Sequence, residues 1–268
     1  MQRTGTVEDL PAASRPVRSH SVLVDVGVDL ADTPVARIAA EIFCPADGQP
    51  LAPLAFVCLP GGGVNRRFYD LGGEAQPSFS FARQMAAAGL ITIAIDHLGV
   101  GESSRPADGF ALTPEVIVAA NARATRDIVS RLQAGVAIPG LRALPDLATI
   151  GVGHSMGGML TVMQQAADPR HIGLVLLGYS NKGLVKHLAK AAQGLIDAPP
   201  LVSQTIGAVA RQIYTDPYRR LPPAGQGNIL FHGAAADRNG VRALKAARDV
   251  LLAVAGLQSM IPGSIAPQ

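Results

Sequence analysis

Apolar and polar positions along the chain alternate between two periods. Ser21-Val-Leu-Val-Asp-Val-Gly-Val and the stretch Val35 to Phe43 are β-branched, bounded by turn residues, and predict two strands. Leu54 to Leu59 is a continuous apolar run that ends in Pro60-Gly-Gly-Gly. Such a run suits a strand covered on both faces, as in a parallel sheet. From there the pattern predicts a helix over Phe79 to Ala88, stopped by Gly89, and a strand over Leu90 to Ile95. A long helix over Pro114 to Leu132 follows, with Pro in its first turn. Next come a strand over Ala148 to Val152, a helix over Met156 to Ala167 and a strand over Ile172 to Leu177. Asn228 to His232 reads as a strand, Val241 to Ala255 as a helix and Leu257 to Ile261 as a last short strand. Strand–helix alternation of this kind predicts an α/β fold, a mostly parallel doubly wound sheet wrapped by helices.

Two stretches depart from the alternation. Residues 1–18 read as a loose N-terminal arm ahead of a single domain over 19–268. Residues 182–226 carry amphipathic helical pieces punctuated by Pro199-Pro200, Pro217 and Pro222-Pro223. An insertion between two sheet strands predicts a lid over the carboxyl ends of the strands, where open α/β sheets bind ligands. An ordinary crossover helix with a surface loop is the alternative.

Composition narrows the function classes. The 268 residues have 48% hydrophobic content and a mean hydropathy of +0.26, which excludes a disordered chain. Apolar runs reach 11 residues, Met85 to Ile95, well short of the roughly 18 needed to span a bilayer. The net charge of +3 is spread along the chain, no Lys/Arg run exceeds two, and aromatic residues make up 4%. That pattern argues against a nucleic-acid surface. Cys44 and Cys58 form no disulfide framework, and no His/Cys/Asp/Glu cluster has metal-ligand spacing. The first 30 residues show no apolar secretory segment, so the expected location is cytoplasmic. No cofactor is implied.

The sharpest motif is Gly153-His154-Ser155-Met156-Gly157, followed by Gly158. G-x-S-x-G is a weak signal alone, but here a strand feeds it and an apolar helix follows at once. A strand-to-helix elbow forces the serine into a strained turn, and the flanking glycines let the backbones pass. The helix N-terminus favours negative charge beside it. Dinucleotide binding through Gly151 and Gly153 is the competing reading, and it lacks its third glycine at Met156.

With these features the chain resembles the α/β-hydrolase fold family, from about residue 21 onward. Leu59-Pro60-Gly61-Gly62-Gly63 is similar to the family's oxyanion loop. The resemblance assigns the backbone N–H groups of Gly62 and Met156 as oxyanion donors. Asp96-His97-Leu-Gly99-Val-Gly101-Glu-Ser103 resembles the turn that shapes the floor of the site, which makes Asp96 and His97 structural. After the strand ending at His232 and Gly233, Asp237 matches the position of the catalytic acid, one residue later than the commonest spacing. A helix N-cap for the segment near Val241 is the other reading of Asp237.

The family order is nucleophile, acid, histidine. The histidines here are at 20, 97, 154, 171, 187 and 232, and none follows Asp237. His232, His187 and His154 are the substitutes to weigh as base. Three expectations follow: a serine hydrolase of an ester or thioester using Ser155, Gly61–Gly63 and Asp237; a non-catalytic member of the fold that binds a small apolar ligand; or a hydrolase shortened at its C-terminus. In each the partner is a small molecule, and the sequence sets no oligomeric state.

Overall fold

The computed structural model describes residues 15–188, 190–196, 202–221 and 237–265. Strands β1 (Val17–Asp25), β2 (Arg37–Pro45), β3 (Leu54–Leu59), β4 (Ile91–Ile95), β5 (Ala148–His154) and β6 (His171–Leu177) form one sheet in the order β1-β2-β4-β3-β5-β6. The β1–β2 and β2–β4 pairings are antiparallel, and β4–β3, β3–β5 and β5–β6 are parallel. Helices α1 (Phe81–Ala87), α2 (Pro114–Ala134) and α3 (Met156–Ala167) are the crossovers between the parallel strands. The α/β class read from the sequence is therefore the class observed.

Strand alternation divides the apolar residues into two cores, one on each face of the sheet. Ile42, Val57, Leu59, Ile91, Ile93 and Ile95 join the α2 and α3 residues Ile117, Ile128, Met159 and Leu160. Their neighbours Phe43, Cys58, Ala94 and Val152 point the other way, to Tyr69 and the α1 residues Ala82 and Ala86. Double coverage explains why β3 and β4 read as unbroken apolar runs. Local signals set the helix ends. Ser80 accepts from the Arg83 amide at 3.0 Å to start α1. Thr113 caps α2 just before Pro114, and Gly135 stops it at φ 74°.

Several boundaries differ from the sequence expectation. β1 begins at Val17, inside the stretch read as an arm, because it pairs with β2 from Val17–Pro45 to Asp25–Arg37. The continuous helix expected over Val241 to Ala255 is broken. α5 (Arg238–Ala247) ends where Arg248 turns extended, at φ −66° and ψ 137°, and bridges to Val64. Strand β8 (Val250–Leu252) then pairs antiparallel with β7 (Tyr218–Arg220), and neither strand was read from the sequence. Long-range pairing has overridden helix propensity there. Leu257 to Ile261, expected as a strand, lies mainly in helix α6 (Ala253–Met260). Val254, Leu257 and Ile261 recur at helical spacing and bury against Val202, Ile206 and Ala210 of α4 (Val202–Ile213). The strand expected over Asn228 to His232 lies outside the described residues. Between 182 and 221 the chain carries short 3-10 turns at Val185–His187 and Lys190–Leu195, then α4 and β7.

Candidate active site

The crossover from β3 leads through α1 to β4 on one side, whereas that from β5 leads through α3 to β6 on the other. β3 and β5 are neighbours, so their loops diverge and leave a crevice at their carboxyl ends. Gly61–Gly63 follows β3 and Ser155 follows β5; the register Leu59–Gly153 brings the two ends level.

Ser155 has φ 52° and ψ −120°, and it is the one non-glycine residue with positive φ among the described residues. Such a conformation costs roughly 1–3 kcal/mol and persists only where its surroundings dictate it. Three backbone contacts do so: the Ser155 amide donates to Leu177 O at 2.8 Å, and Ser155 O accepts from the amides of Gly158 and Met159. The flanking glycines are steric necessities. A Cβ on Gly153 would lie 2.5 Å from Gly157 O, and one on Gly157 would lie 2.2 Å from Leu59 O. Ser155 stands at the N-cap of α3, yet its hydroxyl makes no capping bond.

The glycine loop runs alongside the elbow. A Cβ on Gly62 would come within 3.6 Å of Met156 Sδ and 2.2 Å of Leu251 Cδ1, so Leu251 of β8 lies directly against the loop. The loop is braced from below by His97, which is fully buried. Its Nε2 faces Pro60 O at 2.9 Å and its Nδ1 faces Asn121 Nδ2 at 3.0 Å. An Nε2–H donating to the carbonyl and an Nδ1 accepting from the amide satisfy both contacts with a neutral ring, and burial lowers the His97 pKa accordingly. Asp96 is buried in an ion pair with Arg66 and also accepts from the Arg66 and Glu102 amides. Both residues thus hold backbone in place.

His154 packs under the loop. Its ring stacks on Phe68 with centroids 4.5 Å apart, its Nδ1 is buried without a hydrogen-bond partner, and burial lowers its pKa. A Cβ on Gly61 would meet that Nδ1 at 2.6 Å. His187 is exposed on a 3-10 turn, and His232 lies outside the described residues. Asp237 is the N-cap of α5: its Oδ1 accepts from the amides of Asn239 and Gly240 at 2.8 and 3.0 Å.

A cavity of about 320 Å³ opens beside Ser155, lined among the described residues by Ser155, Gly178, Tyr179, Ser180, Gly183, Leu184 and Ser259. Neither Asp237 nor a histidine is in that lining. Tyr179 is half-buried, and burial raises its hydroxyl pKa, so the wall carries no charge at neutral pH. No motif in the sequence marks the segment after β6. The signal for its lining role was its place at the carboxyl end of a strand next to β5. Ser259 gave no local signal; the packing of α6 against α4 brings it there.

A family model described as the alpha/beta hydrolase family matches residues 56–264. Among solved structures, a hypothetical protein from Pseudomonas aeruginosa is similar at 17% identity and a TM-score of 0.50, over 97% of this chain and 77% of that one. An esterase from Exiguobacterium antarcticum is similar at 14% identity and a TM-score of 0.44, over 86% and 70% of the two chains. A thioesterase domain from the curacin biosynthetic pathway has 17% identity and a TM-score of 0.42, over 73% of this chain and 61% of its own. No curated protein matches. No helix among the described residues is long and apolar enough to cross a membrane. By its match over most of its length, and with a strained serine between β5 and α3, the chain belongs to the alpha/beta hydrolase family.

Proposed function

We propose that the protein is a serine hydrolase of small ester or thioester substrates, with Ser155 as nucleophile. The observation that carries the reading is the positive φ of Ser155 at the crevice between β3 and β5. Attack by Ser155 Oγ on a carbonyl carbon forms a tetrahedral oxyanion, and the N–H groups of Gly62 and Met156 are its donors. Neither amide has a backbone acceptor among the described residues, which leaves both for an incoming oxygen. Asp237 is the acid in this reading. Both of its capping bonds fall on Oδ1, so Oδ2 is available to orient a base. The described part of the insertion, 182–188, 190–196 and 202–221, serves as the lid, and the 320 Å³ of the cavity suits a small acyl group.

A second reading, a non-catalytic ligand-binding member of the family, is favoured by the absence of a histidine from the described lining of that cavity. The two differ in magnitude. In serine proteases of other folds, loss of the base costs about 10⁶ in turnover, and the oxyanion hole with binding retains about 10³–10⁴ over water. Intact mass after incubation with a fluorophosphonate separates them. One adduct, lost in Ser155→Ala, is the expected result. No adduct on a cooperatively melting protein overturns the enzyme and leaves the binder.

A further inference from the structure

A second and larger cavity lies beside β7 and the start of β8. It measures about 620 Å³, and the side chains of Arg105, Arg220, Lys245 and Arg248 converge on it with a single carboxylate, Asp249. These residues come from three separated parts of the chain, so tertiary pairing rather than a local charge run assembles the cluster. β7–β8 pairing sets Arg220 opposite Val250, and the Val64–Arg248 bridge fixes the end of α5.

Among the described residues of the lining, four cations against one carboxylate leave three net positive charges around the cavity. Asp249 offsets one of them and is held by several neighbours. Its carboxylate already accepts from Asn65 Nδ2 at 3.1 Å, from the Gly101 amide at 3.0 Å and from the Val250 amide at 2.8 Å. Its contact with Arg105 is 3.5 Å. Two of the arginines are held in place rather than free in solvent. Arg105 Nε donates to Gly99 O at 3.0 Å while its guanidinium stacks over the Tyr218 ring. Arg248 donates to Leu221 O at 2.7 Å. Arg220 and Lys245 have no ion-pair partner among the described residues. Like charges gathered on a concave surface repel one another and attract a multivalent counter-ion.

We infer that this cavity binds a small molecule carrying two linked phosphates, with Arg220 and Lys245 as its principal contacts. A monocarboxylate would leave most of the positive charge uncompensated. A pyrophosphate group, with two to three negative charges, matches it, and guanidinium groups suit phosphate oxygens. The volume leaves room for an organic group beyond the phosphates. The site stands apart from the Ser155 chemistry and is independent of the hydrolase reading.

Titration calorimetry with inorganic pyrophosphate, with ADP and with citrate as competing polyanion tests it on the whole chain. Saturable binding of pyrophosphate and ADP is expected, weakened at least about tenfold in Arg220→Gln/Lys245→Gln and unchanged in Ser155→Ala. Both replaced side chains lie at the surface, and the melting curve of the double variant should match the parent. Citrate binding as tightly as pyrophosphate overturns the phosphate assignment. Absence of pyrophosphate binding, or binding indifferent to the double variant, overturns the site. Because Ser155→Ala is predicted to bind normally, failure of the hydrolase reading leaves this result unaffected.

Discussion

The elbow that carries Ser155 and the segment that begins at Asp237 with α5 are built in different ways. On the elbow side, the constraints on Ser155 come from α3 and from the ends of β3 and β6, the two strands that flank β5. The Leu177 carbonyl, the helix amides and the close passage of Gly157 past Leu59 leave the serine one conformation. On the Asp237 side, α5 is attached through pairings between distant segments. The Asn65 amide donates to Ala247 O at 2.9 Å, and the Asp249 amide donates to Gly63 O at 2.8 Å. The first half is specified by a short motif and its neighbours; the second needs the rest of the chain to be in place. Backbone strain is confined to the elbow, where Ser155 holds its positive φ.

The largest effect expected from breaking this contrast is at Gly157. A methyl group there would run into the backbone carbonyls of Leu59 and Pro60, at 2.2 and 2.4 Å, and no flexible side chain can yield. Gly157→Ala should therefore cost about 3 kcal/mol by denaturant unfolding, and the adduct at Ser155 should go with it. On the other side, a methyl on Gly240 of α5 meets the Phe79 ring at 3.4 Å and Asp237 Cβ at 3.8 Å, both side-chain contacts. Gly240→Ala in that helix should be tolerated or slightly stabilising. If both alanines cost the same, the two halves are not held differently.

Acid should also unsettle the elbow side. His171 opens β6, next to β5, with Nδ1 2.9 Å from Thr149 Oγ1, and burial with the nearby Arg170 cation pushes its pKa down to about 4 from 6.5. His97 and His154 are lowered by burial too. A depressed histidine pKa means that the unfolded chain takes up the proton first. Stability from this source is complete above pH 6.5 and falls as the pH drops toward 4. Unfolding free energy measured across that window should decline with acid, and His171→Asn should flatten the slope. An unchanged slope would show that the ring is not held neutral.

Replacing Ser155 by glycine sharpens the comparison from the opposite direction. Glycine accepts φ 52° without strain, so Ser155→Gly should raise stability by about 1 kcal/mol while abolishing the adduct. Ser155→Ala keeps the strain and should show no such gain. Equal melting of the two variants would mean that the elbow stores no strain.

The sequence made the first half legible for a physical reason. Continuous apolar runs marked β3 and β4, Met156 and Ala167 bound α3 as expected, Gly153 is required by contacts with Gly157 and Gly158 of the motif itself, and Gly157 by the end of β3. The glycine loop was visible because three glycines follow β3. The stretch from Arg248 to Met260 was misread because its conformation depends on partners far away in sequence. Val64 bridges Arg248, β7 pairs with β8, and α4 covers the apolar face of α6. Helical spacing of Val254, Leu257 and Ile261 was present in that stretch, but a short apolar run reads equally well as a strand. The cationic cavity was hidden for the same reason, since its charges meet only after the β7–β8 pairing forms.

The smallest effect on folding, and the sharpest on role, is expected at Asp237. As an N-cap whose Oδ1 accepts from two amides, it should lose about 1 kcal/mol in Asp237→Ala. Asparagine caps nearly as well as aspartate, so Asp237→Asn should melt within a few tenths of a kcal/mol of the parent. The two functions of the residue then come apart. A carboxylate that orients a base and stabilises its cation cannot be replaced by an amide; in a serine protease of another fold that exchange lowers turnover about 10⁴-fold. If Asp237 is the acid, Asp237→Asn should keep the fold and lose the rate of Ser155 labelling by orders of magnitude. If labelling proceeds at the parental rate in a protein of parental stability, Asp237 serves α5 alone, and the acid must be sought elsewhere in the chain.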